Sequence, residues 1–492
     1  MSTTLPARLS SADARHLLGR TGFMPSPAEV SAWVGLAPAD AVDRLLTGAR
    51  RSTPRHAAPA FTREPIRTPY GRLPDEDARR AARQQARADI VSLAAWWLQE
   101  MRESPAPLAE RMTLFWHNHF ATSMQKVQQA QGMFVQHQLL RQHALGSFRE
   151  LLHGVARDPA MLVYLDGAAN RVEAPNENFA REVMELFTLG EGHYVEQDIR
   201  EAARAFSGWT VNREEWTAQF RPRLHDNGEK TLLGRRGRFD AGAALDVMLD
   251  QAAAPAFIVG KLWREFVSPT PDAAAVEPIA QRFRSSGWRI DAAVRELLLS
   301  DAFWAPANRA VLVKSPVELA IGALRQFEIQ LDSALPLVAV TSRQGQMLFD
   351  PPNVKGWPGY TAWITSTSLL DRKRFTERLF RALEAGDEGA MMNANASPMV
   401  RELMQEARAR ERRALRQARM EAPAGQSFGM RFDAESWLKP LGASPDREPD
   451  GAAREKLVEA VLSAPPVQPV PAGTVGLSYL RALSLDPVYQ LK

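Results

Sequence analysis

Residues 75–102 read DEDARRAARQQARADIVSLAAWWLQEMR, and the change of character along this stretch decides the fold class. Its first half is polar and rich in strong helix formers. From Ile90 onward the apolar residues Ile90, Leu93, Ala94, Trp97 and Leu98 recur at intervals of three, four and seven, the spacing of one helical face. The spacing predicts a long helix whose second half docks on a core. The same period extends in both directions. Upstream, 10–49 reads as two helices, the second carrying Val30, Trp33 and Leu36 after Pro25-Ser26-Pro27, so 1–50 forms N-terminal helices. Residues 51–74 dissolve into Pro, Arg and Thr, the composition of a linker or long surface loop.

Downstream, Leu108, Met112, Phe115, Trp116 and His119 stripe a helix that ends near Ser123. Helical patterning continues over 125–145, 148–165, 177–189 and 198–206, the last closed by Gly208. Phe220, Pro222 and Leu224, the turn Asp226-Asn227-Gly228 and Thr231 to Leu233 predict a β-hairpin near 218–234. Helices resume from 243, and the helical core runs over 75–375. Residues 376–425 carry mixed charge and methionine and read as a mobile segment; 426–492 return to helices packing on the core. The expected fold is mainly α: a large multi-helix domain with a small β-hairpin insertion.

Composition removes several chemistries. The chain has 492 residues and no cysteine, which excludes disulfides, thiolate metal sites, iron–sulfur clusters and cysteine nucleophiles. The formal charge of +4 is nearly all arginine, alternating with Glu and Asp rather than collecting in one run. With no reader motif, no nucleic acid partner is expected. No run of about 18 apolar residues is present, so no membrane span is expected. The stretch after Met1 lacks the pattern of a secretory signal. A cytoplasmic location is the expectation, with export alongside a partner as the alternative.

The most chemically loaded stretch is 176–194, NENFAREVMELFTLGEGHY. At about 100° per residue, Asn178, Arg181, Glu182, Glu185 and Thr188 share one arc of a helix, with Phe179, Val183, Leu186 and Phe187 opposite. Neighbours three and four apart lie roughly 5 to 6 Å from each other. Glu182 and Glu185 could therefore share a cation, or Arg181 could pair with Glu185. A plain solvated face with an intrahelical ion pair is the competing reading. Asn176 suits the N-cap, and Asp166, Asn170 and Glu177 fall at the first, fifth and twelfth places of a calcium loop. Ala168 and Arg171 spoil that template, and an ordinary capped turn explains the loop as well.

His117 and His119 are two apart in a helix and point about 200° from each other, so at most one can bind a given ion. His119 shares the apolar stripe and reads equally well as a hydrogen-bonded core histidine. His193, after Gly190 and Gly192, sits on a turn that could aim it into a cleft. The loop 349–359, FDPPNVKGWPG, presents Lys355 and Trp357 on a proline-stiffened frame that could clamp a ligand or simply cover a core.

Six stretches are long enough to carry a resemblance: ERMTLFWHNHFATS, RDPAMLVYLDGAANRVEAPNENFAREVMELFTLGEGHY, EAARAFSGWTV, HDNGEKTLLG, KSPVEL and LFDPPNVKGWPG. Together with HLLGRTGF near the start and LDPVYQLK at the end, they resemble the bacterial family of domain of unknown function 1800. The resemblance covers nearly the whole chain. It places the family's polar motif positions on His117, His119, Asp166, Asn170, Asn176, Asn178, Glu182 and Glu185. It also implies a partner, since members are often encoded beside a sulfatase-like family with a twin-arginine export signal, that of domain of unknown function 1501. The sequence departs from the family pattern near Tyr360 and in the Arg- and Met-rich stretch after Arg381.

Two functions follow as expectations. The first is a cation-dependent enzyme, hydrolase or oxidoreductase, with a carboxylate/histidine site between helices. In it Glu182 and Glu185 are ligands or general base, and His117 or His119 is ligand or acid. Asp166 and Asn170 join the divalent cation or position its loop, while Asn176, Asn178, Arg181, His193, Lys355 and Trp357 contact the ligand. The second is a non-catalytic partner or scaffold in which the polar cluster only knits helices together.

Overall fold

The computed structural model describes residues 5–68, 72–385 and 429–492. It is mainly α, as the periodicity requires. Helices α1 (Ser11–Thr21), α2 (Pro27–Ser31) and α3 (Pro38–Arg51) lead to the long α4 (Glu76–Glu103), followed by α5 (Pro107–His119), α6 (Met124–Val127), α7 (Ala130–Gln142), α8 (Phe148–Val155) and α9 (Pro159–Tyr164). Next come α10 (Glu177–Glu182), which runs straight into a π-helical turn over Val183–Thr188, and α11 (Glu196–Ala205). After the β-hairpins come α12 (Ala241–Leu249), α13 (Ala253–Phe266), α14 (Ala273–Ser285), α15 (Ile290–Leu298), α16 (Asp301–Trp304), α17 (Pro316–Gln326), α18 (Leu335–Arg343) and α19 (Ser366–Ala385). Helices Ala434–Leu438, Gly451–Val461 and Gly476–Leu485 close the chain.

Side chains from these helices build two hydrophobic cores. One gathers Leu17, Leu46, Met112, Trp116, Phe148, Phe187, Ile258 and Trp263. The other gathers Trp97, Leu98, Met101, Ile321, Leu324, Leu379, Leu457 and Leu480, and so includes the C-terminal helices. The α4 stripe lies in the second core, with Trp97 and Leu98 fully buried. Helix α5 serves both, giving Met112 and Trp116 to the first and Leu114 to the second. Among the described residues no single helix is long and apolar enough to cross a membrane.

Several boundaries differ from the periodic reading, each for a local reason. The N-terminal region holds three helices, because Pro38 opens a separate helix after the turn at Gly35. The helical run expected over 125–145 breaks at Gln128, which adopts φ 59°. The run over 148–165 breaks where Asp158 caps a new helix beginning at Pro159. The β insertion is two antiparallel hairpins. Trp209–Asn212 pairs with Thr217–Phe220, and Lys230–Leu232 pairs with Arg235–Gly237. Asp226-Asn227-Gly228 lies between them, not within one. Pro222 has no N–H to give a ladder, and a 3-10 turn over Pro222–Leu224 replaces the expected strand. In 51–68, Phe61 is buried, and the Gln131 amide donates to the Phe61 and Glu64 carbonyls at 2.9 and 2.7 Å. The expected mobile segment lies outside the described residues from 386 onward; its first part belongs to α19.

Candidate functional site

The end of α5 carries His117, Asn118 and His119, and each side chain leaves the helix in a different direction, as a spacing of about 100° per residue demands. His117 is 1% exposed, and its Nε2 accepts the Phe349 N–H at 3.0 Å. Rings of Trp97, Phe349 and Trp357 surround it, and burial lowers its pKa to about 3, so it is neutral. The Asn118 amide accepts from Trp357 N–H at 2.7 Å and donates to the Trp357 carbonyl at 3.4 Å. Gly356 beside it adopts φ 78°, and a Cβ there would collide with Asn118. His119 contacts the Phe187 carbonyl through Nε2 at 3.2 Å and receives Lys261 Nζ at Nδ1 at 3.1 Å. Three consecutive residues thus fasten two stretches of the loop 349–359 and the end of the π turn to one helix.

The π turn supplies the acceptors on the far side. Thr188 Oγ1 donates to the Val183 carbonyl at 2.6 Å, five residues back, and the loosened carbonyls of Leu186 and Phe187 go to Lys261 and His119. Single π turns inside helices occur frequently at functional sites. The extra residue in the turn also rotates the side chains at its C-terminal end. Thr188, expected on the charged arc, is fully buried, whereas Leu186, expected on the dry face, is half-buried. Lys261 is largely withdrawn from water, which lowers its pKa to about 7, with Arg264 adding repulsion.

The loop before α10 is held by amides. Asn170 is buried; its Nδ2 donates to the Ala203 carbonyl at 2.8 Å and its Oδ1 accepts the Asn176 N–H at 3.0 Å. Asn176 caps α10 by accepting the Asn178 N–H at 2.9 Å. Asp166, at φ 58°, forms an ion pair with Lys126 at 2.8 Å and accepts from Asn178 at 3.4 Å. Arg181 turns away from this group and forks onto Glu196 at 2.8 and 3.0 Å, with Glu177 at 3.3 Å. His193 is exposed.

Glu182 and Glu185 lie on the half-buried side of the same helix. Burial raises the Glu182 carboxyl above the usual carboxylate range, and the Glu185 charge raises it further, while Lys355 and Arg181 oppose the shift. Glu185 has Lys355 at 3.7 Å and accepts the Tyr194 hydroxyl at 3.2 Å, and burial together with the Glu185 charge pushes that phenol up to about 12. Tyr164 is raised by burial and then by the Asp350 and Glu182 carboxylates. Lys126 sits 6.0 Å from its ring centre. Asp350 in turn accepts from Ser123 at 2.5 Å and Gln125 at 3.0 Å.

The structure therefore joins Glu182, Glu185, Asp166, Asn178 and Lys355 into one polar patch. It leaves the others elsewhere. Both histidines are occupied by backbone groups and Lys261, with no hydrogen bond or ion pair to Glu182 or Glu185; Trp357 is buried against His117. Among the described residues no group of three or more His, Asp or Glu is placed to hold a metal ion.

Sequence reasoning missed Tyr164, Lys126 and Asp350, which complete the patch. It also missed a buried charge cluster around Arg111 of α5. Arg111 pairs with Glu318 and, at 2.5 Å, with Glu265; Lys492 also pairs with Glu318. A cavity of about 130 Å³ opens beside it, walled by Phe115, Trp357, Tyr360 and Trp363. KSPVEL was visible as a motif, but its partner Arg111 stands 207 residues away.

The model of the family described as "Protein of unknown function (DUF1800)" matches residues 16–468. No curated protein and no solved structure matches the chain.

Proposed function

The chain belongs to the DUF1800 family, and from that premise we propose that it is an enzyme using general acid–base chemistry, hydrolytic in class, at the patch around Glu182. The observation that carries this reading is the raised, half-buried Glu182 carboxyl beside Glu185, in the field of Tyr164 and Lys355. A carboxyl raised above its ordinary range is a better proton acceptor, able to take a proton from water and return it to a leaving group. Lys355 and Lys126 supply positive charge for a developing anion, and Tyr194 fixes Glu185. Base, proton donor and cation are what hydrolysis of an ester, amide or glycoside requires. A divalent cation bound by Glu182 and Glu185 is the other way to neutralise this pair; it would compete with Lys355 for Glu185.

The test is a panel of ester, phosphoester, amide and glycoside substrates offered to the full chain and to Glu182→Gln. The expected result is turnover of one class, lowered by about 10²–10⁴-fold in the variant with an unchanged melting temperature. No turnover of any class, or equal rates in the two proteins, overturns the reading.

One observation favours a second reading. His117, Asn118, His119, Asn170 and Asn176 all spend their polar atoms on neighbouring elements of this chain. In that reading the chain is a non-catalytic scaffold for a sulfatase-like partner. Co-elution of such a partner with both wild type and Glu182→Gln, without turnover by either, would support it.

A further inference from the structure

The cavity of about 130 Å³ beside the Arg111 cluster is lined by donors that have nothing to donate to. Gln346, Trp357 and Trp363 border it and are only 3%, 4% and 8% exposed. The Gln346 side-chain oxygen accepts the Val317 N–H at 2.9 Å, which leaves its amide nitrogen as the free end. An indole nitrogen can only donate. Among the described residues none of these three side-chain N–H groups has a hydrogen-bond partner, and none is sealed from water as the Arg111 Nε is. Each residue is otherwise enclosed, so the cavity it lines is where its N–H stays open.

Tyr360 adds a fourth donor. Its backbone holds φ 50°, where a side chain of this size is rare. Burial and then the Glu265 charge raise its phenol, with Arg264 opposing, so the hydroxyl keeps its proton, and among the described residues nothing accepts it. The charges nearby do not complete the set. Glu265 is held by Arg111, and Glu318 by both Arg111 and Lys492. Arg264 lies exposed on the rim of the cavity. It reaches only the Gly260 carbonyl of its own helix, at 3.5 Å, and has no ion pair among the described residues. A cation placed here would meet Arg264 and leave the donors unmet. A ligand bringing acceptors and one negative charge answers all five groups.

We propose that this cavity binds a compact organic carboxylate, its oxygens on the N–H groups of Gln346, Trp357 and Trp363 and on the Tyr360 hydroxyl, its charge facing Arg264. A carboxylate has about four lone-pair sites, one for each donor. The walls of Phe115 and the two indoles take its body. A cavity of about 150 Å³ is known to hold benzene, so the space here suits a ligand no larger than benzoate. No residue of the Glu182 patch lines it, and the site stands separately from the hydrolytic reading.

Titration of the full chain with acetate, benzoate, benzyl alcohol and inorganic phosphate tests it, followed by calorimetry and by the indole N–H signals in nitrogen-resolved NMR. Trp357→Phe and Trp363→Phe identify the two signals concerned. At least one of the carboxylates is expected to bind, and benzoate about tenfold more tightly than benzyl alcohol, which keeps the ring and lacks the charge. The Trp357 and Trp363 N–H signals should shift and saturate with the bound fraction. Tyr360→Phe and Arg264→Gln remove groups without a hydrogen-bond or ion-pair partner in the cavity wall. Each should weaken the carboxylate about threefold to tenfold, the equivalent of one hydrogen bond. Absence of binding by both carboxylates, equal affinity for benzoate and benzyl alcohol, unmoved Trp357 and Trp363 signals, or undiminished affinity in both Tyr360→Phe and Arg264→Gln overturns the proposal. Phosphate binding as tightly as the carboxylates would overturn it too, making the cavity a general oxyanion site.

Discussion

The side-chain amide of Asn118 pairs with the peptide of Trp357 much as one strand pairs with another, accepting its N–H at 2.7 Å and donating to its carbonyl at 3.4 Å. Together with the His117 bond to Phe349, this holds the proline-rich loop at two points while Lys355 projects between them toward Glu185. Replacing Asn118 by Leu strands a Trp357 N–H, at a cost of about 1–3 kcal/mol. Gly356→Ala forces a side chain into a left-handed backbone and against Asn118, and should cost at least as much. Urea unfolding reads the loss, and amide hydrogen exchange should accelerate across 349–359 in both variants.

Two buried bases give the chain a defined pH response. His117 is lowered from 6.5 to about 3, and Lys261 from 10.5 to about 7. Within each window the unfolded chain holds a proton that the folded chain does not, so stability rises with pH, by at most about 1.4 kcal/mol per unit for each group. It falls as pH drops from 6.5 toward 3, and again from 10.5 toward 7. His117→Gln should flatten the lower slope by one proton and Lys261→Met the upper one. Unfolding free energies measured across both windows check this, and unchanged slopes would refute it.

The Arg111 cluster should be costly to open from one side. Among the described residues, Arg111→Met leaves Glu318 buried with Lys492 as its remaining ion-pair partner and Glu265 with none, and a broken buried network of this kind loses about 3–5 kcal/mol. The double variant Arg111→Met, Glu265→Met removes the carboxylate left without an ion-pair partner, keeps the Glu318–Lys492 pair, and should recover part of that loss. Denaturation midpoints of the two variants decide it.

If Glu182 is the base, activity rises with pH through its raised pKa. Glu185→Gln removes the neighbouring negative charge and should move that acid limb to lower pH. Lys355→Met removes the opposing positive charge and should move it higher. A limb that stays fixed in both variants means that another group titrates.

The parts of the molecule legible in the sequence are those governed by local period. The apolar stripe of α4, the divergence of His117 from His119, and the burial of Phe179, Val183 and Phe187 all follow from angular spacing. The exchange of places between Leu186 and Thr188 was not legible, because it depends on a π turn whose carbonyls are taken up by His119 and Lys261. Lys261 and Leu186 are 75 residues apart, beyond any helical wheel. Asn118 lies between two imidazoles whose ligand chemistry is the stronger signal in the sequence. Its partner is a backbone peptide, which leaves no mark in the composition.

Helix α5 is gripped at Arg111 by the charge cluster and at His117, Asn118 and His119 by the loop and the π turn. Inserting or deleting one residue between those points would swing the far end by about 100° and shift it by about 1.5 Å, breaking all its attachments together. The number of residues in this interval is thus constrained more tightly than their chemistry: apolar substitutions there can be absorbed by repacking, whereas a change of length cannot.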